Sequence, residues 1–162
     1  MRTYRRILVP VDGSPTSNKA LVAALNIARD ADGRVRLVHA VDELAFVTGF
    51  EASREVFEAM HNGAERVLAE SAEIAKAAGV NAETLLIDKP ALRLGEAIAI
   101  AAKGWNADLI VVGTHGRRGI ERVLLGSGAE QIIRLAPVPV LVIRGDVDAG
   151  SHAFRATLLG SA

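Results

Sequence analysis

Leu109-Ile110-Val111-Val112-Gly113-Thr114-His115-Gly116-Arg117-Arg118-Gly119 is the stretch that decides the fold. Its first four residues are apolar without alternation, the pattern of a β-strand covered on both faces. Three glycines in the seven residues from Gly113 to Gly119 then end the strand. Backbone free of side chains there can aim several N–H groups at one point, the geometry of an anion nest. A doubly covered strand that empties into a glycine loop predicts an α/β protein built on a parallel sheet.

Working outward, Ile7-Leu8-Val9-Pro10-Val11, Val35 to Val41 and Val138 to Ile143 read as strands of the same kind, and Ala82 to Ile87 as a weaker one. Segments of helical period, rich in Ala, Leu, Ile and Glu, separate all five. The order βαβαβαβαβ predicts a single-domain, open, five-stranded parallel sheet with helices on both faces, a Rossmann-like α/β fold. The first helix should open at Ser14-Pro15, a capping hydroxyl followed by proline, and run to about Ala31 before the Asp32-Gly33 turn. A long helix over Glu51 to Ala78 should stop at Gly79, a third should follow Pro90 and end near Lys103-Gly104, and a fourth should start at Ser127 and stop before Pro137. Phe46 and Phe50, in the loop from Asp42 to Phe50, should pack with Phe57 as a satellite cluster, or else face a partner. Pro139 marks the last strand as an edge.

The chain has 162 residues, 50% hydrophobic and 23% charged, enough for one domain with a sizeable core. We divide it into a domain over 1–146 and a C-terminal tail over 147–162, in which Phe154, Leu158 and Leu159 recur at roughly helical spacing. Nineteen basic and nineteen acidic residues leave no net charge, which argues against non-specific nucleic-acid binding. Absence of cysteine removes disulfides, thiolate nucleophiles and Cys-based metal sites. No stretch free of Asp, Glu, Lys and Arg exceeds nine residues, as in Ala20 to Ala28, against the roughly 18 or more that a membrane span needs. The basic start is followed only by the short run Ile7 to Val11 and no small-residue cleavage site, so the expectation is a cytoplasmic protein without a membrane partner.

Ligands of open parallel sheets bind beyond the carboxyl ends of the strands. Three such ends carry polar or glycine-rich sequence: Pro10-Val11-Asp12-Gly13-Ser14, His39-Ala40-Val41-Asp42 and the loop from Gly113. Gly126-Ser127-Gly128 adds a second anion-friendly element, the start of the fourth helix with its uncompensated N–H groups. Ser127-x-x-Glu130 also reads as a capping box, a role compatible with ligand binding. A Walker-type loop is absent, Gln131 stands where a dinucleotide fingerprint needs its third glycine, and no Gly-x-Ser-x-Gly elbow exists. The four histidines show no metal-ligand spacing; His39 reads as a hydrogen-bonded core residue and His115 as a possible phosphate donor or a spare loop residue.

With these residues in view, the chain resembles the universal stress protein family, and within it the ATP-binding subgroup. That subgroup carries Gly-x-x-Gly, nine residues, then Gly-Ser/Thr; here Gly113-Thr114-His115-Gly116 is followed by Arg117 to Leu125 and Gly126-Ser127. The likeness extends from Arg5 to Gly145, through Ile7 to Ser14, His39 to Glu43 and Ala136 to Val142. It implies an adenine nucleotide alpha hydrolase-like fold. It further implies that Pro10, Val11 and Asp12 line the adenine and ribose side, with Ala40 offering backbone to the base. Gly113, His115 and Gly116 would hold ribose and phosphate, and Gly126, Ser127, Gly128 and Ala129 the phosphate chain. A carboxylate such as Asp12 suits an amino group or ribose hydroxyl and would be repelled by phosphate. The implied ligand is ATP, with Mg or Mn as candidate companions. The family's binders often carry valine and a hydroxyl residue after the Gly-Ser, where this chain has Gly128 and Ala129, so any hydroxyl contact to phosphate or metal is lost there. The resemblance also implies a homodimer paired through the last strand, and an unidentified protein partner that responds to nucleotide.

We expect no efficient enzyme, because a Walker lysine, a positioned general base and an acidic metal pair are all missing beside the glycine loop. Three other readings stay open at this point. The fold could serve as a dimeric interaction module that binds no nucleotide. Asp12, Asp88 and Thr114 could belong to a receiver-like signalling domain. Gly113 to Gly116 with Arg117 and Arg118 could clamp RNA, although such a clamp joins two helices rather than following a strand.

Overall fold

The computed structural model describes residues 3–41, 54–89, 92–114 and 125–145. Strands β1 (Arg6–Pro10), β2 (Arg34–Ala40), β3 (Asn81–Ile87), β4 (Leu109–Gly113) and β5 (Val140–Ile143) alternate with helices α1 (Pro15–Asp30), α2 (Arg54–Ala77), α3 (Leu94–Gly104) and α4 (Ser127–Leu135). All strand pairs are parallel, in the order β3-β2-β1-β4-β5. The expected five-stranded α/β architecture is therefore the observed one. The register aligns Pro10 with Val38, Leu8 with Ile110 and Gly113 with Ile143, so the carboxyl ends of the strands lie along one side of the sheet.

Alternate residues of the central strands feed two cores, as the twofold period of a strand requires. Ile7, Val9, Val35, Leu37, Leu109 and Val111 pack beneath α1 and α2 with Leu21, Leu25 and Leu68. Leu8, Val38, Ile110 and Val112 pack beneath α3 and α4 with Ile98, Ala102 and Ile132. Leu8, Ile110 and Val111 are fully buried, each worth about 1.5–3 kcal/mol of hydrophobic transfer. Removing water from both faces is what makes these strands near-continuously apolar.

Local chemistry sets the helix ends. Ser14 caps α1, its hydroxyl accepting the Ser17 N–H at 3.1 Å, and Pro15 occupies the first turn. The Glu96 carboxylate accepts the Arg93 N–H at 3.1 Å at the start of α3. Ala136 closes α4 in an extended conformation (ψ 128°), as the residue before Pro137 must. The fourth helix corrects one expectation: its cap is Gly126, with Ser127 as the first helical residue, so the Ser127–Glu130 capping box does not form. The physical reason is tertiary. The Gly126 N–H donates to the Thr114 carbonyl at 2.7 Å, which ties the entry of α4 to the end of β4 and leaves Gly126 as the cap, while the helix itself starts at Ser127 as expected.

β5 is an edge, as Pro139 predicts; the proline immediately precedes the strand, and its carbonyl accepts the Ile110 N–H at 3.0 Å. At the amino ends of the strands, Trp105 (4% exposed) lies between the guanidinium groups of Arg6 and Arg36, 4.6 and 4.9 Å from its ring centroid. Its indole N–H donates to Glu83, which also pairs with Arg36 at 2.8 Å, so β1, β2, β3 and α3 are clamped together at the end of the sheet away from the glycine loop. The Arg36 hydrogen bond, opposed by a smaller desolvation effect, holds the Glu83 carboxyl below the usual glutamate range.

Phe57 is 41% exposed and stacks on His61 with ring centroids 6.5 Å apart. Phe46, Phe50 and the tail over 147–162 lie outside the described residues. Among the described residues no helix is long and apolar enough to cross a membrane.

Candidate functional site

Strand order reverses between β1 and β4, where one crossover leads to β2 and the other to β5. A crevice opens at such a switch point because the loops leave it in opposite directions. Asp12 follows β1 and Thr114 follows β4, each four residues beyond the aligned pair Leu8 and Ile110, so both stand at one level above the sheet.

The β1 side of the crevice is tightly organised. Pro10 is the last strand residue and half-buried, and Val11 is buried, its N–H donating to the Val38 carbonyl at 2.8 Å. His39 donates from Nδ1 to the Val11 carbonyl at 2.7 Å, so it is hydrogen-bonded as expected, but it is half-buried at the end of β2 and not a core residue. A carbonyl can only accept, so this contact also places the proton on Nδ1. Asp12 closes a turn in which Oδ1 accepts the Ser14 N–H at 2.9 Å, while its own N–H donates to the Ser17 hydroxyl at 3.1 Å. Gly13 takes a left-handed conformation (φ +78°), which lets the chain reverse from strand into helix. Ala40 ends β2 half-buried, and the following Val41 N–H donates to the Ile87 carbonyl at 3.0 Å.

The β4 side joins the two halves of the glycine motif. Thr114 is buried; its N–H donates to the Ile143 carbonyl at 2.9 Å, and its carbonyl takes the Gly126 N–H. Although twelve positions apart in sequence, the first and last parts of the motif are thus adjacent in space. Gly126, Ser127, Gly128 and Ala129 form the cap and first turn of α4, whose N–H groups and positive dipole end lie at the carboxyl side of the sheet. Ser127 is exposed, Gly128 half-buried, and Ala129 buried with its methyl in the core, so Ala129 has only its N–H to offer a ligand. His115 and Gly116 lie outside the described residues.

Two positions carry structural duties that the motif alone does not reveal. A Cβ on Gly113 would stand 2.9 Å from both Cγ2 and the carbonyl oxygen of Thr16, so glycine is what allows β4 to pass directly beneath the first turn of α1. A Cβ on Gly95 would stand 2.7 Å from the carbonyl carbon and oxygen of Gln131, and this glycine is what lets α3 approach α4. Thr16, Ser17 and Thr114 belong to the site's framework and were not singled out for it by sequence reasoning. The only available signal was the hydroxyl-rich run Ser14, Thr16, Ser17 after Asp12.

The strand order also removes the receiver-like reading. Asp88 follows β3, the edge strand, with β2 between it and β1, so the carboxylates of Asp12 and Asp88 do not share the switch-point crevice. Asp88 instead lies 3.6 Å from His61 Nδ1. Flavodoxin-like and receiver sheets put the first and third strands side by side at their switch point.

Residues 3–144 match the family described as the universal stress protein family. The chain is 37% identical over 143 residues to "Universal stress protein MJ0531" of Methanocaldococcus jannaschii, covering 87% of this chain and 82% of that protein. Its fold superimposes with a TM-score of 0.77 on the solved structure of hypothetical protein MJ0577, at 25% identity, covering 90% of this chain and 99% of the other. It is also similar to a universal stress protein solved in complex with cAMP (TM-score 0.62, 26% identity, 88% and 98% coverage). Taken with the open parallel sheet and the spacing of the glycine motif, these similarities show that the chain belongs to the universal stress protein family.

Proposed function

We propose that this protein is an ATP-binding universal stress protein, which uses nucleotide occupancy to change its surface for a protein partner in the cytoplasm. The observation that carries this reading is the Gly126–Thr114 hydrogen bond, which draws both halves of the glycine motif to the switch point opposite Asp12. In this reading the first-turn N–H groups of Gly126, Ser127, Gly128 and Ala129 hold the phosphate chain, and Gly113, His115 and Gly116 the ribose and first phosphate. The ribose and base lie toward Pro10, Val11, Asp12 and the backbone of Ala40. Mg or Mn would neutralise the phosphates, the cation being held chiefly by the nucleotide itself. The cAMP complex of a similar family member supports an adenine ligand class.

The absence of a Walker lysine and a positioned base from the motif supports binding without rapid hydrolysis, and turnover above about 1 per second would refute that part. A homodimer through β5 is supported by its edge position and by the exposure of Leu141 on it. Titration calorimetry of the full chain with ATP and magnesium tests the core of the reading, and no heat or saturation at millimolar nucleotide overturns it. The contact of Gly113 with the Thr16 backbone favours a second reading, in which that glycine serves packing alone and the protein is an interaction module. The same titration separates the two.

A further inference from the structure

The β1–β2 ladder ends in an irregular way beside the candidate site. In a parallel pair, a residue that faces its neighbour donates its N–H to one residue there and gives its carbonyl to the N–H two residues further on. Val11 follows the first half of this pattern, donating to the Val38 carbonyl at 2.8 Å. The second half would give the Val11 carbonyl to the Ala40 N–H. Instead the paired register stops at Pro10 and Val38, and the Val11 carbonyl takes the ring N–H of His39 at 2.7 Å. A side chain of β2 thus occupies the acceptor that the backbone of β2 would otherwise use.

The direction of the displaced N–H follows from its neighbours. Successive residues of a strand turn their backbone groups to opposite sides. The Val38 carbonyl faces β1, and the Val41 N–H faces β3, where it meets the Ile87 carbonyl at 3.0 Å, so Ala40 turns its N–H toward β1. Among the described residues, no backbone hydrogen bond continues the ladder there past Val11. Two residues beyond the aligned pair Pro10 and Val38, Ala40 stands level with Asp12, at the end of the site assigned to the base. It is half-buried, open enough for a ligand atom to reach this donor and closed enough that leaving it without an acceptor costs free energy.

We propose that His39 is a positioning residue: by taking the Val11 carbonyl it keeps the Ala40 N–H out of the ladder and presents it to a ring-nitrogen acceptor of the bound adenine. The ligand contact rests on the nucleotide reading above, whereas the opened ladder does not. Amide exchange of the full chain, followed by NMR without nucleotide, tests the ladder. Ala40 should exchange fast in the parent. In His39→Leu the Val11 carbonyl loses its partner and should pair with the Ala40 N–H, slowing Ala40 exchange at least about tenfold. His39→Asn, whose side-chain N–H can stand in for Nδ1, should restore the parent rate. A merely structural histidine predicts the opposite sign, because its loss would loosen the strand end and speed exchange. Slow exchange of Ala40 in the parent, or an unchanged or faster rate in His39→Leu, overturns the proposal. In calorimetry with ATP and magnesium, His39→Leu should bind about 2- to 12-fold more weakly, the worth of one backbone hydrogen bond, and His39→Asn should bind as the parent does. Equal affinity in all three overturns the ligand contact. A parent that binds no ATP refutes the nucleotide reading and the ligand contact with it, while the exchange rates still decide the role of His39 in the ladder.

Discussion

Ser127→Asp separates a phosphate site from a purely structural helix start, because both predict a more stable unliganded protein and only the first predicts a loss of ATP affinity. Ser127 is exposed, is the first residue of α4 and makes no capping bond, so its replacement disturbs no packing. In the unliganded protein a carboxylate at this position meets the positive end of the helix and should stabilise by about 0.3–1 kcal/mol. For a chain of this length that raises the melting temperature by roughly 1–4 °C. A phosphate held by the first-turn N–H groups would stand on the order of 5 Å from the new carboxylate. The repulsion per unit charge there is about 0.8 kcal/mol with the dielectric of water and about 3 kcal/mol with that of a protein surface. ATP affinity should therefore fall between about 4-fold and 150-fold, more steeply at low salt. Differential scanning fluorimetry gives the first quantity and calorimetry the second. If the variant melts higher and binds ATP as tightly as the parent, the phosphate chain does not lie at the start of α4 and the site assignment fails.

Three further outcomes follow from other parts of the structure. Gly113→Ala should destabilise the protein by about 1–3 kcal/mol, because its Cβ meets Thr16 backbone, and a thermal melt should show a loss of roughly 2–12 °C even without nucleotide. Lowering the pH should weaken the protein through Glu83: its carboxyl is held below the usual range in the fold, so its contribution is complete above about pH 4.3, the unfolded value, and is lost as pH falls through the lower folded value. Glu83 is 45% exposed, so solvent screening keeps the effect small, and chemical denaturation from pH 6 to 3 should show a shallower loss for Glu83→Gln than for the parent. Leu141→Lys, on the exposed side of β5, should convert a dimer into monomer in light scattering, and an unchanged mass would exclude pairing through that strand.

Much of this molecule was determined by local sequence. The central strands declared themselves because burial on both faces demands unbroken apolar residues, as in Leu109 to Val112. β3 was the faintest of the five because it is an edge strand and carries Asn81, Glu83 and Thr84. Ser14-Pro15 set the start of α1 by chemistry confined to one turn, and the glycine spacing marked the region of the candidate site. Tertiary structure decided what depends on residues distant in the chain. The order of strands placed Asp88 two strands from Asp12, and no local pattern encodes which strands become neighbours. A bond from Gly126 to Thr114 overrode the capping box that Ser127 and Glu130 spell out, since a hydrogen bond between two elements outweighed a side-chain cap within one. Gly113 must be glycine because of Thr16, and Trp105 is held by Arg6, Arg36 and Glu83 from three different strands. In each case the chain specifies its elements through nearest neighbours, whereas close packing between elements determines which backbone can approach which.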